Sequence, residues 1–248
     1  MFFCERRKKM AVIHSSNNEL KRRIRKNNLT SLSAWIFFFV YMGFATTNDF
    51  FQLLFTLPLF FAMGMSYFFE YKNKILKVGL EGEVKALKLA KTLDDKYHVF
   101  TNKKITFQEQ ESELDLIVVG KTGVFVVEVK NFKGEIEGKE DERTWKQHKV
   151  GRKGTRYSQD FYSPVKQVGT HVYRLSKVLK EENIYTWVQG MVYFIHPDVK
   201  IDRVQSEGTP VLSPRNNFKN YIDNLENKVE MTDEKVDEIV TILKNHER

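Results

Sequence analysis

Glu113-Leu-Asp-Leu-Ile-Val-Val-Gly-Lys-Thr-Gly-Val-Phe-Val-Val-Glu-Val-Lys130 is the stretch whose reading decides the fold. Two apolar runs, Leu114–Val119 and Val124–Val129, flank Gly120-Lys121-Thr122-Gly123. Their β-branched residues favour strands. With Lys121-Thr122 as a two-residue hairpin loop, Gly120 pairs with Gly123 and all paired positions sum to 243. Asp115 then falls opposite Glu128, where Cβ atoms lie about 4.5–5.5 Å apart. Lys130, two residues beyond Glu128, points to the same face. The register predicts Asp115, Glu128 and Lys130 at one spot.

Two facing carboxylates repel, and a divalent cation removes the repulsion. Mg²⁺ takes oxygen ligands and is commonly held by one or two carboxylates, waters and a substrate phosphate. Such an ion would polarise the phosphate, and Lys130 would position water or stabilise charge. The competing reading is a surface Asp beside a Glu–Lys ion pair on a half-buried hairpin.

Around this hairpin the chain reads as mixed α/β. Helical spacing of Leu80, Val84, Leu87 and Ala90 predicts a helix over Gly79–Leu93, with Glu83 on or beside its inward face. Tyr97–Thr101 and Ile105–Phe107 look like strands. Pro164 suits the first turn of a helix over Ser163–Leu179, whose stripe is Val165, Val168, Val172, Leu175 and Leu179. Trp187–Ile195 and Thr209–Leu212 read as further strands. Asn217–Leu225 and Thr232–Asn245 read as closing helices.

Further out lies an unusual distribution of charge. The 248 residues carry 40 Lys and Arg against 32 Asp and Glu, a net charge of +8. Residues 1–28 hold nine basic and two acidic residues, a balance of +7. Residues 29–70 hold no Lys or Arg, two acidic residues and 11 of the 20 Phe. Two apolar runs, 29–45 and 50–69, flank Thr46-Thr47-Asn48-Asp49. A bilayer core takes about 20 apolar residues per helix, so the block is expected to be a two-helix transmembrane hairpin. Basic residues on both outer flanks place both termini and the following domain in the cytoplasm. The arm 1–28 then sets topology and touches anionic headgroups; nucleic-acid binding is its other reading. The expected organisation is 1–28 basic arm, 29–70 hairpin and 71–248 cytoplasmic domain, at the cell membrane. The lone Cys4 excludes a disulfide framework and a multi-Cys zinc site. The six His show no metal-ligand spacing.

The chain resembles the nuclease-related domain (NERD) proteins, a branch of the PD-(D/E)xK nuclease-like superfamily. The resemblance rests on Gly82-Glu83, Asp115, Glu128-Val-Lys130-Asn131, Gly134, Trp145 and Ser163-Pro164-Val-Lys-Gln167, in that order, over roughly 78–195. It implies a restriction-endonuclease-like mixed central sheet flanked by helices, and Mg²⁺- or Mn²⁺-dependent hydrolysis of phosphodiesters, DNA ahead of RNA. It makes Asp115 and Glu128 metal ligands, Lys130 the catalytic lysine, Glu83 a helix acid helping metal or water, and Gln167 a polar residue entering the site. It makes Trp145 structural. Ser163 stands where the family has Asn. Outside these motifs, the basic residues Lys146, Lys149, Arg152, Lys153 and Arg156, interleaved with aromatics, are expected to contact nucleic acid. The alternative function is an inactive membrane protein that uses the same fold to bind nucleic acid or a protein partner.

Overall fold

Val12–Ser15 forms β1, an edge strand running parallel to β2 (His98–Phe107). This segment lies inside the stretch read from sequence as a basic arm. The structure, a computed structural model, describes residues 10–15, 19–45, 56–151, 154–225 and 231–246. The chain divides into two compact units, residues 1–16 with 82–248, and residues 17–81.

In the first unit, β2 turns back into β3 (Gln110–Gly120) through Gln108 and Glu109. Both adopt φ near +50 to +60°, the left-handed conformation that a two-residue hairpin loop requires. β3 pairs antiparallel with β4 (Gly123–Lys130) through Gly120↔Gly123, Val119↔Val124, Val118↔Phe125, Ile117↔Val126 and Leu116↔Val127. This is the register expected from the two glycines. β8 (Val188–Phe194) runs parallel to β4, and the short β10 (Val211–Leu212) parallel to β8. The six-stranded sheet has the order β1-β2-β3-β4-β8-β10.

A second sheet was not foreseen. β5 (Gly134–Lys139), β6 (Thr144–Val150), β7 (Arg156–Tyr162) and β9 (Val199–Gln205) order as β7-β6-β5-β9. The connections out of β4 and β8 both pass into it. Ile195 N bonds Lys130 O, and Gly134 N bonds Asp198 O. Lys130 therefore sits at the corner where the chain leaves the first sheet. Gly134 has φ +89°, and a Cβ there would meet His148 O at 2.3 Å.

Helices cover both faces of the larger sheet. Phe100, Ile117, Val119, Val124 and Val126 pack with Val165, Val168 and Leu175 of α3 (Pro164–Glu181) and Ile239 of α5 (Asp233–Asn245). On the other face, Leu116, Val118, Phe125 and Val127 pack with Ala90 at the end of α2 (Thr56–Ala90) and with Phe218 and Ile222 of α4 (Phe218–Asn224). The mixed α/β class with flanking helices is as expected.

The second unit holds α1 (Glu19–Ala45) and most of α2. Polar pairs join them: Asn27 Nδ2 to Asn73 Oδ1 at 2.9 Å, Asn73 Nδ2 to Asn28 Oδ1 at 2.7 Å, and Trp35 Nε1 to Ser66 Oγ at 2.7 Å. The reversed order of these partners makes the helices antiparallel. The expected two-span transmembrane hairpin is not supported. Among the described residues no helix is long and apolar enough to cross a membrane. α1 is charged until Lys26, and its 17-residue run 29–45, which includes Thr30, Ser31 and Ser33, rises only about 25 Å against a core of about 30 Å. The expected turn at 46–49 and the start of the second run lie outside the described residues.

Candidate active site

The hairpin register brings the carboxylates together. Asp115 and Glu128 lie one step beyond the last paired residues, Leu116 and Val127. Asp115 Oδ2 accepts the backbone N–H of Val129 at 2.8 Å. Because side chains alternate along a strand, Asp115, Glu128 and Lys130 share the face that carries Ile117, Val126 and α3.

Glu128 is 1% exposed. Lys130 Nζ lies 2.6 Å from its Oε1 and donates to Gln167 Oε1 at 2.9 Å. Gln167 is placed by the start of α3, where Ser163 Oγ accepts from Lys166 N and Pro164 opens the helix. One turn on, His171 is buried with Nε2 3.4 Å from Glu128 Oε2. Glu128 Oε2 and both ring nitrogens of His171 nevertheless lack a hydrogen-bond partner. Natural proteins pair nearly all buried polar atoms, so a buried Glu128–His171 contact without hydrogen-bond geometry, with His171 Nδ1 unbonded, marks a place for a ligand.

The two acids are pushed apart. Burial, reinforced by the Glu128 charge, raises the Asp115 carboxyl to about 8. Burial also works to raise Glu128, but the His171 contact and the Lys130 ammonium more than offset it, and Glu128 stays below its ordinary range. Of the two, Asp115 is the acid that holds a proton more readily. Opposed acids with divergent affinities for a proton mark functional sites.

Among the described residues no three His, Cys, Asp or Glu converge as a metal cage. The donors are two carboxylates, a set that suits Mg²⁺ or Mn²⁺ completed by water and phosphate. Glu128 Oε2, whose contact with His171 lacks hydrogen-bond geometry, is the available oxygen.

The other expected residues fall in several places. Glu83 is half-buried on α2, in the turn where Lys85 Nζ donates to Asn131 Oδ1 at 3.0 Å and Gly82 faces Asn131. That turn abuts the residue next to Lys130. Lys149 shares the inner face of β6 with Trp145 and Gln147, and Gln147 Nε2 bonds Lys133 O. Burial and the Lys133 charge lower the Lys149 ammonium, whose Nζ donates to Gln159 Oε1 at 3.3 Å. Lys146 and Arg156 lie on the opposite face, where Lys146 stands between Glu137 and Asp160. Arg152 and Lys153 lie outside the described residues. Trp145 is structural: it is fully buried, bonds Lys139 O, and fills the space beside Gly138.

The sequence does not single out His171, because the six His show no metal-ligand spacing. Its signal was positional: it lies four residues after Gln167 on the buried stripe of the same helix.

The chain is 35% identical over 92 residues to an uncharacterized protein of Bacillus anthracis, covering 36% of this chain and 43% of that protein. The match thus spans less than half of that relative. No solved structure matches the chain. Residues 78–195 match the family model of NERD, the nuclease-related domain, and carry that domain with Asp115, Glu128, Lys130 and Gln167 inside it.

Proposed function

We propose that this chain is a divalent-cation-dependent nuclease, with Asp115 and Glu128 holding Mg²⁺ or Mn²⁺ and Lys130 as its catalytic lysine. The observation that carries this reading is the buried pair of opposed acids with Lys130 locked between Glu128 and Gln167. A bound cation supplies Lewis-acid polarisation of the phosphate and a more acidic water. Lys130 stabilises charge that develops on the phosphate, and Gln167 aims its ammonium. His171 holds the Glu128 carboxylate in position. Glu83 assists from α2. Lys149, with Lys133, contacts the phosphate backbone next to the site, and Arg152 and Lys153 extend that contact; Lys146 and Arg156 would reach nucleic acid from the opposite face of the smaller sheet. DNA is the favoured substrate over RNA.

We place this activity at the cytoplasmic side of a membrane. The support is the outward-facing apolar surface of the second unit, which includes Ile36, Phe37, Phe39, Val40, Phe60 and Phe61, all more than half exposed. Patches of this kind mark lipid or protein contacts.

The test is cleavage of labelled single- and double-stranded DNA and RNA by the full chain with Mg²⁺, Mn²⁺ or EDTA. Cleavage is expected with either metal, none with EDTA, and none from Glu128→Gln. Metal-independent cleavage, or an active Glu128→Gln variant, defeats the assignment.

A further inference from the structure

The second unit carries a groove lined by both cations and apolar side chains. It measures about 410 Å³, in the range of small-ligand sites. Lys21, Arg25 and Lys77 supply three exposed cations along it, while Ile24, Leu32 and Leu80 supply an apolar floor. α1 and α2 form it jointly, on the basic side of the Asn27–Asn73–Asn28 seam. Along α1, charge ends at Lys26 and the exposed apolar surface begins at Leu29. The groove thus straddles the boundary between a cationic collar and a greasy helix pair.

This combination fits a molecule with an anionic head and an apolar tail. We infer that the groove binds an anionic phospholipid of the bilayer, its phosphate against Lys21, Arg25 and Lys77 and its first acyl carbons along Ile24, Leu32 and Leu80. Charge complementarity selects this occupant. A neutral lipid leaves three cations uncompensated, and a nucleic-acid backbone leaves the apolar floor unfilled. The inference rests on the membrane placement proposed above and is independent of the nuclease reading.

Each basic group near an anionic surface is worth roughly fivefold in affinity, so three give on the order of a hundredfold. The experiment is vesicle flotation of the full chain. Phosphatidylcholine vesicles are compared with phosphatidylcholine–phosphatidylglycerol vesicles at matched ionic strength. Wild type is expected to prefer the anionic vesicles on the order of a hundredfold. The triple variant Lys21→Glu, Arg25→Glu, Lys77→Glu is expected to lose that preference while keeping its circular dichroism spectrum. A control with Lys88→Glu, Lys91→Glu and Lys200→Glu makes the same charge change elsewhere and is expected to keep most of it.

Three results overturn the groove alone: equal binding to both vesicles, equal losses in the two triple variants, or displacement by soluble glycerophosphate or duplex DNA at matched ionic strength. Failure to float with any vesicle overturns the membrane placement as well.

Discussion

Neutralising Asp115 and neutralising Glu128 are predicted to move stability in opposite directions. Asp115 has a folded-state carboxyl near 8 against an ordinary 3.8. The folded chain therefore holds a proton that the unfolded chain releases in this window. The associated stability is full below about pH 4 and is lost as pH rises through about 8. Above that point two charged carboxylates face each other. Asp115→Asn removes the repulsion, and its amide oxygen can still accept the Val129 N–H. The gain is about 1–3 kcal/mol, the usual cost of a poorly satisfied buried group. Glu128→Gln does the reverse, because it strips Lys130 of its partner at 2.6 Å. Removing one member of a buried pair costs about 3–5 kcal/mol, and the lower end applies because Lys130 is 20% exposed and keeps Gln167. At about 2–4 °C per kcal/mol for a domain of this size, metal-free melts at about pH 9 should rise for Asp115→Asn and fall for Glu128→Gln, each by on the order of 5 °C. A fall for Asp115→Asn equal to that of Glu128→Gln would refute the like-charge argument and leave Asp115 as a strand cap.

Cation affinity should depend on pH with a definite sign. The metal must displace the Asp115 proton, so the apparent Mn²⁺ dissociation constant is expected to rise about tenfold per unit as pH falls below about 8; titration calorimetry across pH 6 to 9 checks it, at roughly one proton released per ion. His171→Ala should weaken Mn²⁺ binding by about 10–100-fold, the usual effect of losing a group that orients a ligand, and should lower melting too, because the buried Glu128 carboxylate loses a partner. Gly138→Ala should cost about 1–3 kcal/mol without touching cation binding, because its Cβ would meet Trp145 Cγ at 2.2 Å; paired melts and Mn²⁺ titrations separate the two effects.

The core of the site was legible because its geometry is local. Gly120 and Gly123 bracket a two-residue loop, and that alone set Asp115 against Glu128 and put Lys130 on their face. Gln167 was legible through Pro164 and the stripe behind it. The second sheet was hidden because its strands are polar on one face. Glu137, His148 and Ser158 form a hydrogen-bonded ladder across β5, β6 and β7, so charged residues stand where an apolar alternation would announce a strand. The same sheet splits the basic residues of 143–157 between two faces, which a reading by composition could not see. β1 was obscured by its four-residue length and basic neighbours. The transmembrane hairpin is unsupported among the described residues: the first apolar run, of 17 residues, meets a residue count but falls short in rise along the helix, and the second run begins outside them.

The central claim is that Lys130 acts on a phosphate bound beside the Asp115–Glu128 pair. Its most direct test is the single-turnover cleavage rate of Lys130→Met at saturating Mg²⁺, measured beside wild type and with Mn²⁺ binding as a control. The account predicts a rate on the order of 10²–10³ lower, with the ion still bound. Cleavage at the wild-type rate with the ion in place would contradict it.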